Sequence, residues 1–467
     1  MVLTNFLDSS FLRNVYDIWS TDTNASIFPD YLNNLSSHRL QKMVEYASTA
    51  SPFYQQKFKK TLEHHAQFIH YPISTKAEMM SHFDQLLTDK NVNLADIRQF
   101  ISSPQNIGKA YRDRYFVWES SGTNGLQGIY IQDRSCISRY QAIEAIRKSS
   151  GSIFNQLAYQ AFGKERIAYI GALDHHYAST VSLAILKEDF ISLKKAIKDF
   201  SIFQSIEELI ANLAEYDPSV IITYPSMAIC LADHIHPALK PRELWLGGES
   251  LSTKQRSHIE SSLQSKIYCS YGASEFLPIA WECAKGNLHV NSDWVLLEAV
   301  DEHFLPLPAG NRSYTTLLTN LANTIQPIIR YDLGDQICYS PKKCPCGSML
   351  PHIKVFGRTS HYLKFIDIDG KEIKISALTI ISLIEEHGIF NATISQVDNP
   401  AKKCDRCLYL EFIAGSHPTE KDFQKIQESI QQYLANNHIE NVTILCTKIA
   451  HDRLGYSGKY GVFNERI

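Results

Sequence analysis

Between residues 110 and 270 short apolar runs alternate with amphipathic stretches. Arg166-Ile-Ala-Tyr-Ile-Gly171, Val220-Ile-Ile-Thr-Tyr224, Glu243-Leu-Trp-Leu-Gly-Gly248 and Lys266-Ile-Tyr-Cys-Ser270 each read as a strand that ends at Gly, Pro or Ser. A helical pattern over 227–234 follows Pro225. Such a pattern predicts a largely parallel, helix-covered sheet. Ligands of those sheets sit at strand carboxyl ends, where the polar clusters of this chain would converge. Upstream, 1–35 is irregular in pattern, with Asn, Asp and Ser clusters. A helix is expected over 37–47 from the spacing of Leu40, Met43, Val44 and Ala47, with Ser51-Pro52 as its stop. Ser74-Thr-Lys-Ala-Glu78 opens another, with Ser74 and Glu78 near capping positions.

Residues 294–355 turn β-rich, with strands expected over 294–300 and 314–319 and a further run at 328–335. Beyond Gly357 the order is strand (371–375), helix (376–387), strand (392–397), strand (407–414), helix (419–436) and strand (441–449). The class is α/β. A domain over 1–356, with helix-covered mixed sheets and a β-rich part at about 290–356, precedes a small α+β domain over 357–467.

One stretch breaks both periodicities. Trp118-Glu-Ser-Ser-Gly-Thr-Asn-Gly125 packs small and hydroxylated residues between ordered elements, with Leu126-Gln-Gly-Ile-Tyr-Ile131 reading as a strand after it. Its backbone N–H groups can turn toward an anion and its hydroxyls add donors; the same run also suits a solvated loop. No Lys-Ser/Thr follows its second glycine, so it is not a P-loop.

Composition narrows little. The 467 residues exceed one ordinary core. Hydrophobic content of 44% and charged content of 20% are those of a globular protein. A net charge of −3 gives no electrostatic case for nucleic acid or an anionic membrane. The N-terminus lacks a signal-peptide pattern, and the longest apolar span, 218–232, holds two prolines and is too short to cross a bilayer. Ten cysteines in a chain this long point to a reduced, cytoplasmic protein rather than a disulfide framework.

Several of these pieces together resemble the adenylate-forming superfamily, and within it the phenylacetate–CoA ligase branch. Ser51-Pro-Phe-Tyr-Gln-Gln-Lys-Phe58 and Ile73-Ser-Thr-Lys-Ala-Glu78 look like that branch's lead-in segments. Ser120-Ser-Gly-Thr-Asn-Gly125 is similar to its phosphate loop, and Tyr271-Gly-Ala-Ser-Glu275 to its Tyr-Gly-x-Thr-Glu pattern. Arg330-Tyr-Asp-Leu-Gly-Asp335 resembles the ribose-binding segment, Gly357-Arg358 the start of a hinge, and Gly458-Lys459 the catalytic-lysine motif.

The resemblance implies ATP-dependent activation of a carboxylic acid to an acyl-adenylate, followed by attack of a thiol, with CoA as the expected co-substrate. Positioning and charge stabilisation carry such a first step. By that resemblance Ser120, Ser121, Gly122, Thr123 and Gly125 bind the β- and γ-phosphates, and Glu275 holds Mg²⁺. Ser274 donates to the α-phosphate, Asp335 accepts from the ribose hydroxyls, and Tyr271 with Gly272 faces the adenine. Gly248, Glu249 and Ser250 wall its other side, Arg358 opens the hinge, and Lys459 bridges the charge that develops between carboxylate and α-phosphate. Tyr177, Ala178, Tyr224 and Phe276 are candidates for the acid pocket and suit an aryl or other apolar acid. His175 and His176 read more readily as packing or surface residues than as catalytic ones.

Two departures matter. The loop continues with Leu126-Gln127 where a Lys or Pro is usual, which removes one charge contact to phosphate. Ser360-His361 stand where relatives carry paired aspartates, which weakens the case for CoA more than that for adenylation. A carrier-protein phosphopantetheine or an amine stays open as acceptor, as do a degenerate nucleotide-binding role and a homodimer. Separately, Cys283-x₅-His289 and Cys344-Pro-Cys346-Gly offer three thiols and an imidazole, a donor set for structural Zn²⁺ or simply buried and surface thiols. Cys404-x₂-Cys407 has no partner pair.

Overall fold

A computed structural model describes residues 9–28, 30–120, 127–147, 165–234, 236–358, 362–390, 392–398, 406–413, 419–440, 442–449 and 463–465. The protein is mixed α/β, with a large multi-stranded sheet, surrounding helices and a smaller C-terminal α+β part. Its chain divides into two compact units. One comprises Met1–Ile167, Ala172–Asp199 and Tyr268–Phe356; the other comprises Ala168–Gly171, Phe200–Ile267 and Gly357–Ile467.

The first unit opens on helix Ser9–Ile27, where the sequence pattern reads as irregular, and on helix Tyr31–Ala50, which contains the helix expected over 37–47 and begins six residues earlier. Phe11, Ile18 and Ala25 recur at helical spacing and are buried, but polar Asn14 and Thr21 share the buried face while Leu12, Tyr16 and Trp19 are exposed, so no clean apolar stripe marks the helix. Ser51 ends the second helix and caps Pro52–Glu63, its side chain accepting from the Tyr54 N–H. Helix Lys76–Ser81 is capped by Thr75, not by Ser74, which is fully buried. Strands Tyr115–Glu119 and Ile129–Asp133 form an antiparallel pair that flanks 120–128. Strands Val295–Val300, Thr315–Asn320 and Tyr331–Asp332 form an antiparallel three-stranded sheet. Strands Phe276–Glu282 and Leu288–Val290 pair antiparallel, and Leu288–Val290 pairs in turn with His352–Arg358. These antiparallel neighbours make the sheet mixed, where the apolar runs alone suggest largely parallel pairing.

In the second unit Val220–Thr223 and Glu243–Gly247 pair in parallel, with helix Pro225–Asp233 as the crossover. The C-terminal part holds a hairpin, Tyr362–Ile366 with Glu372–Ser376, and a four-stranded sheet. In that sheet Arg406–Ile413 and Val442–Ile449 are parallel, bridged by helix Glu420–Asn436. Phe423, Ile426, Ile430 and Leu434 of that helix enter a core with Phe412, Leu408 and Ile444. Thr419 and Asp422 complete its capping box.

Candidate functional site

The hairpin of Lys266–Ala273 and Phe276–Glu282 carries Tyr271, Gly272, Ser274, Glu275 and Phe276. Its pairing shifts between Tyr271 and Ala273. Gly272 leaves no room for a side chain: a Cβ there would stand 2.0 Å from the Leu277 carbonyl oxygen. The strand runs through Ala273, so only Ser274 and Glu275 form the turn.

Three long-range donors fix that turn. Trp118 Nε1 donates to the Ser274 carbonyl (2.8 Å), Asn320 Nδ2 to the Glu275 carbonyl (2.8 Å), and the Tyr130 hydroxyl to Glu275 Oε1 (2.5 Å). Burial, followed by the neighbouring Glu275 and Tyr331, pushes the Tyr130 phenol well above its ordinary pKa. It therefore stays a donor and orients the buried Glu275 carboxylate. Spacing along the chain gives no signal for Tyr130, Trp118 or Asn320 in this role.

Tyr271 Oη donates to Asp335 Oδ2 at 2.7 Å. Asp335 begins the strand Asp335–Tyr339 after Gly334, whose φ of 74° turns the chain. Thr316 Oγ1 holds the Asp335 carbonyl at 2.7 Å. Two residues far apart in sequence thus meet within the unit that carries Glu275.

Ser120 closes the base of the candidate phosphate loop. Its N–H donates to the Gly128 carbonyl (2.8 Å), and its Oγ accepts from the Gly128 N–H (2.9 Å). Ser121, Gly122, Thr123 and Gly125 lie outside the described residues, as do Ser360, His361, Cys404 and Lys459. Beside Ser120, Glu119 lies 4.0 Å from His175 Nδ1, and burial raises its pKa despite that histidine. Tyr177 packs on His175 with centroids 5.2 Å apart, its phenol pushed up to about 12 by burial and then by Glu119. Ala178 is buried at the start of the next helix. Phe276 is fully buried, edge-on to Tyr140 at 4.8 Å.

In the second unit Gly248 takes φ 81° after strand Glu243–Gly247. Glu249 accepts from the N–H (2.9 Å) and Oγ (3.0 Å) of Ser226 and so caps the helix that follows the buried Tyr224. Ser250 and Arg358 are exposed.

The first unit also gathers Cys283, His289, Cys344 and Cys346, whose donor atoms all lie within 4.8 Å of one another. Cys283 Sγ and Cys344 Sγ are 3.7 Å apart, and Cys346 Sγ is 3.3 Å from His289 Nε2. Tetrahedral zinc with bonds of about 2.3 Å sets sulfurs about 3.8 Å apart, while a disulfide needs about 2.05 Å. Two tight turns present the thiols, each closed by a glycine at positive φ, Gly286 (76°) and Gly347 (89°). The amides of Lys285 and Ser348 point at the sulfurs of Cys283 and Cys346 (3.4 Å each). His289 Nδ1–H donates to the Leu350 carbonyl at 2.8 Å, which leaves the Nε2 lone pair toward the thiols. Burial keeps His289 below its ordinary pKa and so favours the neutral ring a metal needs. Burial opposes the Cys344 thiolate, but hydrogen bonds from the Cys346 amide and side chain, Cys283 and Asn287 outweigh it and lower its pKa.

Neither a family model nor a curated protein matches the sequence. Among solved structures, 2-hydroxyisobutyryl-CoA ligase in its postadenylation state, bound to R3-HIB-AMP, superposes with a TM-score of 0.64 at 17% identity, over 94% of this chain and 90% of that one. An open conformation of that ligase, with 2-HIB-AMP and CoA, gives 0.53 at 18% identity over 93% and 91%. Anthranilate CoA ligase bound to anthranoyl-AMP gives 0.50 at 12% identity, over 71% of this chain and 63% of that one. The chain therefore has the fold of these CoA ligases.

Proposed function

We propose that the protein uses ATP to activate a carboxylic acid as an acyl-adenylate, releasing pyrophosphate, and passes the acyl group to a thiol, most simply that of CoA. The observation that carries this reading is the Tyr271–Asp335 contact in the unit that holds Glu275, within a fold whose solved examples bind acyl-AMP. Asp335 accepts from the ribose hydroxyls, Tyr271 presents its ring to the adenine, and Glu249 orders the helix that follows Tyr224. Ser120 and the residues after it cradle phosphate through N–H and O–H groups. A carboxylate has about four lone-pair sites, so Glu275 keeps oxygen free for Mg²⁺ while it accepts from Tyr130. Bound Mg²⁺ would neutralise phosphate charge as the acid attacks. Lys459, carried on 357–467, would stabilise the same charge, with that domain rotating about Arg358. The buried aromatic candidates Tyr177 and Tyr224 favour an aryl or other apolar acid. At the Cys/His cluster the geometry supports a structural zinc ion that ties the 283–289 and 344–346 turns together.

Incubation with ATP, Mg²⁺ and a panel of aryl, fatty and amino acids tests this, with hydroxylamine as a trap and CoA added or withheld. Acid-dependent hydroxamate without CoA, and a thioester with it, is the expected result. Hydroxamate without any thioester would move the acceptor to a carrier protein or an amine. AMP formation with no acid requirement would sink the reading.

A further inference from the structure

We propose that Lys76 supplies the positive charge toward the nucleotide phosphates that 120–127 lacks, on the reading that this site binds ATP. The 120–127 stretch contains no Lys or Arg. The Lys76 ammonium reaches the base of that stretch from a different part of the chain, with Nζ 3.4 Å from Ser120 Oγ.

Its position is set by backbone anchors. Ser74 donates to the Arg330 carbonyl (3.0 Å) and accepts from the Asp332 N–H (2.9 Å), a bridge to the segment that ends in Asp335. The Arg330 guanidinium holds the carbonyls of Ile69 and Tyr71, both at 2.6 Å. Thr75 then caps the helix that begins at Lys76, and the Ile129 N–H donates to Met80 Sδ (3.4 Å) at the other strand of the loop stem. The strap at 69–80 is thus tied both to the candidate ribose-binding segment and to the stem of the candidate phosphate loop. The half-buried Lys76 on such a strap is a held cation beside the Ser120 hydroxyl.

Calorimetric binding of ATP and of AMP to the full chain separates this role from a structural one, because AMP lacks the β- and γ-phosphates. Lys76→Met should weaken ATP on the order of tenfold to a hundredfold and leave AMP within about twofold, the scale of one hydrogen bond to a charged group. Lys76→Arg should recover most of the loss, and both variants should keep the wild-type thermal midpoint. Equal weakening of ATP and AMP, or unchanged ATP binding in Lys76→Met, would overturn the role of Lys76. Wild-type protein that binds neither nucleotide would instead overturn the reading on which the proposal rests.

Discussion

Tyr271, Glu275 and Asp335 lie in the same unit as the Cys/His cluster, but the two groups are built in opposite ways. The cluster is local: two short turns, each with its own glycine and amide donor, bring three thiols to His289 on the strand Leu288–Val290. The candidate nucleotide residues Tyr271, Glu275 and Asp335 depend on distant partners: Tyr271 meets Asp335, and Tyr130 and Trp118 reach the Ser274-Glu275 turn from another sheet. A local cluster can be altered without disturbing distant geometry. A site made of long-range hydrogen bonds fails whenever any of its supporting elements moves.

The largest effect should come from the cluster. Replacing Cys344 and Cys346 with serine should abolish about one equivalent of zinc, read by atomic emission. It should also cost several kcal/mol, on a scale where structural zinc contributes about 10 kcal/mol or more in isolated peptides. Wild-type protein purified without stoichiometric metal would remove this half of the comparison. Next, Arg330→Met would leave Glu298 buried without its 3.1 Å partner and release the carbonyls of Ile69 and Tyr71. Losing one member of such a pair costs about 3–5 kcal/mol, so the urea midpoint should fall clearly while zinc content holds. Tyr130→Phe is milder. It should weaken Mg²⁺-dependent ATP binding by about tenfold or somewhat more, the worth of a hydrogen bond to a carboxylate, and cost about 1–3 kcal/mol of stability for the buried oxygen left without its donor, with full zinc.

The smallest effect is one of pH. Burial raises the pKa of Glu298, and Arg330 pulls it back. A carboxyl whose folded pKa lies above its unfolded value contributes stability at low pH that is lost as pH rises through the folded pKa. Arg330→Met removes the lowering influence, so its deficit should be smallest near pH 4 and grow toward neutrality in parallel urea titrations. A deficit independent of pH would mean that Arg330 acts only through the 69–71 carbonyls.

The same contrast explains what could be read in the sequence. Cys283-x₅-His289 and Cys344-x-Cys346 are visible because their ligands lie close in sequence and their donor chemistry is distinctive. The strands over 167–171, 220–223, 243–247 and 266–273 are visible because each is a short apolar run. Helix Ser9–Ile27 is hidden because polar Asn14 and Thr21 interrupt its buried face and Leu12, Tyr16 and Trp19 stand on its exposed one, and Tyr130 reads only as one more aromatic in a buried strand. Lys76 stands in a segment whose resemblance to a family lead-in says nothing of where its ammonium goes; only the Ser74 bridge to Tyr331 sets that. Partners brought together by topology leave no spacing to recognise.

Acid-dependent exchange of labelled pyrophosphate into ATP, in wild-type protein and in Glu275→Gln, tests the central claim most directly. The account predicts exchange with at least one apolar acid and a loss of at least about a hundredfold on removal of the charge that holds the metal. Exchange of equal rate in the two proteins would contradict it.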